Sequence, residues 1–131
     1  MYTISKTFAA CCSHILTKVP PGHPCGRLHG HNYEFELVLA GSSLDRRGFV
    51  TDYRDLDGFK KWIDEKLDHR HLNEALPLAV KDVLDDEGLT EIEPTAELLA
   101  WAIYRRWLPF YSGLVAVRVR ETPKTCAEYR P

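Results

Sequence analysis

No run of apolar residues in this chain approaches the roughly 18 that a membrane-spanning helix needs, which excludes a helical membrane protein. An excess of charge is equally missing, with 17 Lys and Arg set against 19 Asp and Glu. Without a basic surplus there is no electrostatic footprint for nucleic acid or for an anionic membrane surface. The opening stretch, Met1 to His14, lacks the basic segment and apolar core of a secretory leader. A soluble, cytoplasmic protein is the expectation. Cysteine is sparse and unpatterned: Cys11, Cys12, Cys25 and Cys126 form no Cys-x-x-Cys pair. That excludes a zinc knuckle, and with no sign of export it argues for four free thiols rather than a disulfide framework. Repeats, low-complexity tracts and linkers are absent too. The 131 residues suffice for one domain, 1–131, burying about two-thirds of its unfolded surface without covalent staples.

What the chain does have is periodicity. From His29 onward, Tyr33, Phe35, Leu37 and Leu39 alternate with Asn32, Glu34, Glu36 and Val38, as in a half-buried strand. A first strand is expected over Tyr2 to His14, irregular at its two cysteines, with a Pro/Gly-rich loop after it. Gly41 to Gly48 reads as a turn and Phe49 to Tyr53 as a short returning strand, together a hairpin. Leu56, Phe59, Ile63 and Leu67 make one stripe of a helix, with Asp52 or Asp55 capping its start. Pro94 and Thr95 open a second helix, whose apolar face carries Leu98, Leu99, Ala102 and Ile103. Pro77 to Glu93 is rich in acid and reads as an exposed loop or a short irregular helical turn. Val115, Val117 and Val119 alternate in a closing strand. Strands and helices segregate along the chain, which predicts an α+β fold, an antiparallel sheet with helices on one face.

Several residues carry chemistry. His29 and His31 are two apart on a strand and share parity with Tyr33 to Leu39, so both face the buried side. Imidazoles ending an apolar face need partners: either hydrogen bonds to neighbours or a shared metal ion. His14 is the third candidate if the first two strands pair. Three histidines leave one tetrahedral position open, the pattern of a catalytic zinc rather than a structural one. Cys25 lies four residues before His29. It is a fourth ligand that closes the site, a thiolate beside the metal that moves protons, or an inert thiol, and spacing does not decide. Asp68 and His69 suit an orienter and an acid–base residue; alternatively His69 and His71 answer the negative end of a helix dipole. Glu121 continues the inward phase of the last strand. Either it receives a hydrogen-bond-donating ligand, such as a guanidine-like edge, or the strand has frayed and Glu121 is solvated.

Six stretches in order, "SHIL", "GHPCGRLHGHNY", "TDY", "LDHRHLN", "PTAELLAWAI" and "VRVRETP", span nearly the whole chain. On them the chain resembles the 6-pyruvoyltetrahydropterin synthase superfamily, in particular its 6-carboxy-5,6,7,8-tetrahydropterin synthase branch of queuosine biosynthesis. The Cys-x-x-x-His-Gly-His spacing carries the choice of branch, because the pyruvoyl-forming enzymes typically hold their cysteine further upstream.

The resemblance implies one zinc per subunit on His14, His29 and His31. It makes Cys25 the proton-abstracting residue, His69 its acid–base counterpart and Asp68 the group that orients His69. Glu121 becomes both the anchor for the amino-pyrimidine edge of a pterin and a member of the proton relay. The implied fold is the tunnelling fold, a four-stranded sheet with two helices, in which three subunits close a barrel and two trimers stack. The implied reaction is a carbon–carbon lyase conversion of 7,8-dihydroneopterin triphosphate to 6-carboxy-5,6,7,8-tetrahydropterin, with acetaldehyde and triphosphate released. A pyruvoyl-forming or side-chain-cleaving relative is the nearest alternative, and a non-catalytic, zinc-stabilised binding module the alternative of another class. The chain departs from the family's usual Phe-x-Ala-Ala-His, reading Ala10-Cys11-Cys12-Ser13-His14. Glu93 replaces the usual Asn before Pro94-Thr95, and Leu98 replaces the Asn of Glu-Asn-Leu. His23 and His71 answer to no catalytic position. Lys18, Arg27 and Lys124 are either phosphate partners or solvated surface charges.

Overall fold

Alternation builds the centre of the sheet. In the computed structural model, which describes residues 1–131, β1 (Tyr2–His14) and β2 (His29–Gly41) pair antiparallel without interruption, from Tyr2 opposite Gly41 to His14 opposite His29. One face of this ribbon is apolar: Phe8, Ala10 and Cys12 from β1, and Tyr33, Phe35, Leu37 and Leu39 from β2, are all buried. Period-two patterning makes that face continuous, so the two strands share one core.

The rest of the sheet is β3 (Arg70–His71), β4 (Leu114–Arg120) and β5 (Ala127–Tyr129), in the order β3-β1-β2-β4-β5. Four of the strands are antiparallel. The two-residue β3 runs parallel to β1, setting Arg70 opposite Cys12 and His71 opposite Ser13. The α+β architecture is as expected, with a fifth strand added. Phe49 to Tyr53 does not return as a strand. Instead Asp45 accepts the N–H groups of Arg47 and Phe49, folding the segment into turns, and Asp52 caps a 3-10 turn over Tyr53–Leu56. The outer partner of β2 comes from the C-terminal part of the chain, β4. A bulge between Val38 and Leu39 shifts that pairing, so Leu114 enters the core and Val115 is left half-buried.

Four helices cover the apolar face. α1 (Asp57–Lys66) presents Phe59 and Ile63, flanked by Leu56 and Leu67, all essentially without exposure. α4 (Ala96–Trp107) starts where Thr95 accepts the N–H of Leu98 at 3.2 Å, and it buries Leu99, Ala102 and Ile103. Leu98 points outward instead. The acidic stretch is not a loop: α2 (Leu72–Ala79) and α3 (Lys81–Glu87) occupy it. Leu72, Leu76, Val80, Val83 and Leu84 recur at helical spacing and are buried, while the acids ride the outer side. Gly88, at φ +68°, ends α3 in the left-handed conformation that a side chain resists.

No helix is long and apolar enough to cross a membrane. All four cysteines are free. On the opposite face of the sheet, Glu36 is 8 % exposed yet charged, bonded by Arg120 at 3.0 Å and Arg118 at 3.4 Å. Burial works against its charge, but Ser5 and the two guanidinium groups outweigh it and hold the carboxyl below its ordinary pKa.

Candidate active site

Strand register assembles the histidines. His14 and His29 are direct cross-strand partners, and His31, two residues along β2, shares their face. The ring centroids lie 4.5 Å (His14–His29), 5.1 Å (His14–His31) and 5.0 Å (His29–His31) apart. One nitrogen from each ring falls within 4.8 Å of the others.

Backbone carbonyls fix which nitrogens face inward. His14 Nδ1 lies 2.8 Å from the Pro94 carbonyl, and His29 Nδ1 lies 2.7 Å from the Arg27 carbonyl. A carbonyl only accepts, so both Nδ1 atoms carry the proton and both Nε2 atoms are left as bare lone pairs. Those two lone pairs face each other at 2.9 Å. His31 Nε2 is buried with no hydrogen-bond partner. Three bare or orphaned ring nitrogens aimed at one point are unfavourable until a cation fills it. Carbonyls behind the rings are the support that metal-bound imidazoles use. Burial further lowers the pKa of His14, against the pull of the Pro94 carbonyl, and so favours the neutral ring that binds metal. The residues present therefore fit a divalent ion with nitrogen ligands. Asn73 holds the backbone N–H and carbonyl of Ile15, and both carboxylate oxygens of Glu93 bind Thr17, so the chain leaving His14 is tied down.

Cys25 is not among the atoms that converge with the imidazoles. It sits half-buried in a 3-10 turn, Pro24–Gly26, where His23 Nδ1 accepts its N–H at 3.0 Å. The closed, four-ligand reading is thus not what the geometry forms. His23, without a role in the sequence reading, is the cap that fixes the Cys25 turn.

Asp68 and His69 do meet. Asp68 Oδ2 lies 2.9 Å from His69 Nδ1, while Oδ1 accepts the Cys11 N–H at 2.8 Å. These two bonds, the backbone one first, lower the pKa of Asp68. His69 has φ +59°, the left-handed region that a β-carbon disfavours, and its own N–H is held by the Cys11 carbonyl at 2.7 Å. Such strain, over-determined by three hydrogen bonds, places an 80 % exposed imidazole at a fixed spot on the rim of a cleft. A helix-end role does not require it. No hydrogen bond joins Cys25 to His69, and Cys25 is absent from the lining of that cleft.

Glu121 lies just beyond β4, so the strand has ended, yet its side chain is only 26 % exposed. Its Oε2 is 3.9 Å from His31 Nε2. Glu121 and His31 line a second cleft of about 360 Å³. The sequence reading missed Tyr33, whose hydroxyl is 3.2 Å from His14 Nδ1, and Ser13, whose hydroxyl is 3.0 Å from His71 Nδ1. Parity along β2 points to Tyr33. Nothing in the sequence alone brings Ser13 to His71.

Residues 3–131 match the sequence family described as 6-pyruvoyl tetrahydropterin synthase. A 6-carboxy-5,6,7,8-tetrahydropterin synthase from Bacillus subtilis is 30% identical over 136 residues, covering 99% of this chain and 86% of that one. A 6-pyruvoyl tetrahydrobiopterin synthase from Drosophila melanogaster is 33% identical over 106 residues, covering 78% of this chain and 57% of that one. The structure of Caenorhabditis elegans 6-pyruvoyl tetrahydropterin synthase superposes with a TM-score of 0.79 at 22% identity, covering 99% and 95% of the two chains. A family match running from Thr3 to the C-terminus, with the same strand and helix architecture beneath it, means that the chain belongs to the 6-pyruvoyl tetrahydropterin synthase family.

Proposed function

We propose that this chain is a zinc-dependent 6-carboxy-5,6,7,8-tetrahydropterin synthase of queuosine biosynthesis. It takes 7,8-dihydroneopterin triphosphate and releases acetaldehyde and triphosphate. The observation that carries the reading is the convergence of His14, His29 and His31, two of them with Nδ1 committed to backbone carbonyls. These are the proposed ligands of one zinc ion, which supplies Lewis acidity to substrate hydroxyl oxygens when bound. Glu121 accepts the N–H groups of the amino-pyrimidine edge, and this anchoring orients the side chain. Cys25 removes a proton, and His69, held by Asp68, serves as acid–base partner.

Within one chain Cys25 and His69 stand apart, and β1 leaves Tyr2 to Ala10 unpaired along its outer edge. Open edges invite further strands. The proposal therefore includes a trimer or a dimer of trimers in which His69 of one subunit serves the metal site of the next. Mixing inactive Cys25→Ala and His69→Ala variants should then restore part of the activity.

The deciding experiment is mass spectrometry of the products from 7,8-dihydroneopterin triphosphate, with zinc measured on the same sample. Acetaldehyde and the 6-carboxy product are expected. A 6-pyruvoyl product would favour the pyruvoyl-forming reading, toward which the Drosophila relative points. Absence of any product, together with unfolding on chelation, would favour the zinc-stabilised module.

A further inference from the structure

The three residues that leave β1 give their N–H groups to two partners in alternation. Ile15 donates to Asn73 Oδ1 at 2.9 Å and Thr17 to the Glu93 carboxylate, both on the helical side of the molecule. Leu16, between them, donates to the Cys25 carbonyl at 2.9 Å. This short strip therefore joins the body of the protein to the turn Pro24–Gly26 that carries Cys25. Glu93 grips the strip with both oxygens, Oε1 taking the Thr17 N–H and Oε2 its hydroxyl at 2.8 Å. A carboxylate only accepts, so it suits two donors, and its charge strengthens both bonds. The segment that bears Glu93 is itself fixed. The Glu93 carbonyl accepts the N–H of Thr95, the cap of α4, at 2.9 Å, and the next carbonyl, that of Pro94, takes His14 Nδ1 at 2.8 Å. Glu93 stands where the family pattern has asparagine, one methylene shorter and with a single oxygen. The two-pronged grip on Thr17 is thus a feature of this chain rather than of the motif.

We propose that Glu93 is a positioning residue: by clamping Thr17 to the segment that supports His14, it fixes how far Cys25 stands from the imidazole cluster. The proposal rests on the reading of Cys25 as the proton-removing residue. The turn's own hydrogen bonds are local. His23 Nδ1 accepts the Cys25 N–H, the His23 carbonyl that of Gly26, and the Pro24 carbonyl that of Arg27. They shape the turn without placing it. Its placement comes from its two limbs. On the outgoing limb the Arg27 carbonyl meets His29 Nδ1 at 2.7 Å, which ties that limb directly to the cluster. The incoming limb is held through Leu16 and Thr17, and so through Glu93. Without the carboxylate, Thr17 is released, and Leu16 and Cys25 are free to shift together. Asn73 still holds the N–H and carbonyl of Ile15, so β1 and His14 stay where they are. The loss then falls on the orientation of Cys25, on which proton transfer at hydrogen-bond reach depends.

The test is iodoacetamide labelling of the folded, zinc-loaded protein, followed cysteine by cysteine by mass spectrometry, with zinc content and turnover of 7,8-dihydroneopterin triphosphate measured alongside. In Glu93→Ala, Cys25 should label about fivefold faster relative to Cys126, the range of a lost charge-assisted hydrogen bond. Zinc content should match wild type, and kcat should fall about tenfold with KM within about twofold. Glu93→Gln should recover most of both effects, because its oxygen keeps the Thr17 N–H while the hydroxyl turns to accept from the amide. Thr17→Val, which keeps only the backbone bond, should show part of the effect, and adding it to Glu93→Ala should change nothing further. Unchanged Cys25 labelling, additive losses, or equal acceleration at Cys25, Cys126 and buried Cys12 would make Glu93 merely structural and overturn the clamp. Loss of zinc would move its role to the metal site and overturn it too. Normal formation of the 6-carboxy product, with Cys25 labelling unaltered in Glu93→Ala, sinks the clamp and leaves the function standing. Faster Cys25 labelling in a protein that turns over no dihydropterin keeps the clamp and sinks the function.

Discussion

Replacing Asp68 by asparagine tests the acid–base reading without removing a single heavy-atom position. Asp68 faces two donors, the Cys11 N–H at 2.8 Å and the His69 Nδ1 proton at 2.9 Å. A carboxylate accepts both, whereas an amide offers one oxygen and one NH2. With the oxygen kept on Cys11, the NH2 turns toward His69, which must move its proton to Nε2. The ring is then the wrong tautomer for its task, and about 10³-fold of turnover is expected to go, within the range known for inverted orienting pairs. Stability should fall by only about 1 kcal/mol, because a charged hydrogen bond is discounted by the side chain's 27 % exposure. The folded-state pKa of Asp68 is depressed, so its stabilisation is present above the unfolded carboxyl value near ~4 and is lost as pH falls through the folded one. The wild-type and Asp68→Asn urea midpoints should therefore converge in acid. Zinc content should be unchanged, since Asp68 touches none of the three imidazoles. Turnover within threefold of wild type, at equal zinc, would refute the tautomer argument.

Three further outcomes follow from other parts of the molecule. At position 69 the backbone is left-handed, so His69→Gly should be more stable than His69→Ala by about 1 kcal/mol, the reverse of the usual order, with both inactive; an alanine variant at least as stable in urea would contradict the strain. Burial first, then Asp68 and Cys11, push the Cys12 thiol up to about 12. Iodoacetamide at pH 8 should therefore label exposed Cys11 and Cys126 and reach Cys12 only after denaturation, as mapped by mass spectrometry. Glu36→Gln should cost about 1–3 kcal/mol at neutral pH, because it leaves two arginines short of their buried acid. Glu36 has a lowered folded pKa, so that cost should begin to shrink as pH falls below the unfolded carboxyl value, about 4, and disappear as pH falls through the lower folded one.

Parity along β1 and β2 was legible because alternation is local: His29, His31 and Tyr33 had to share a face whatever the partner strand. The pairing that brought in His14 needed only two adjacent strands of equal length. The returning strand at Phe49 failed because Asp45 and Asp52 use their carboxylates to satisfy nearby N–H groups, a competition that residue hydropathy does not register. In α2 and α3 the number of acids hid a regular stripe from Leu72 to Leu84, and Pro77 inside the helix argued against it. Asp68 and His69 were adjacent on paper, but their contact depends on a left-handed backbone that no periodicity announces. Ser13 and His71 converge only through a two-residue parallel strand, too short to leave a pattern.

The unbroken register of β1 against β2 also limits how this protein can change. Successive residues Cys11, Cys12, Ser13 and His14 serve alternate sides, a rim thiol, the core, the cleft and the imidazole cluster. One residue inserted or deleted anywhere between Tyr2 and Ala10 would exchange those duties at the far end, turning His14 outward and Ser13 into the cluster. The length of either strand is therefore inherited as a unit. Insertions and deletions have room to accumulate between Lys18 and Gly22, ahead of the turn that holds Cys25, or between Ser42 and Gly48, where no ladder carries the error forward to the site.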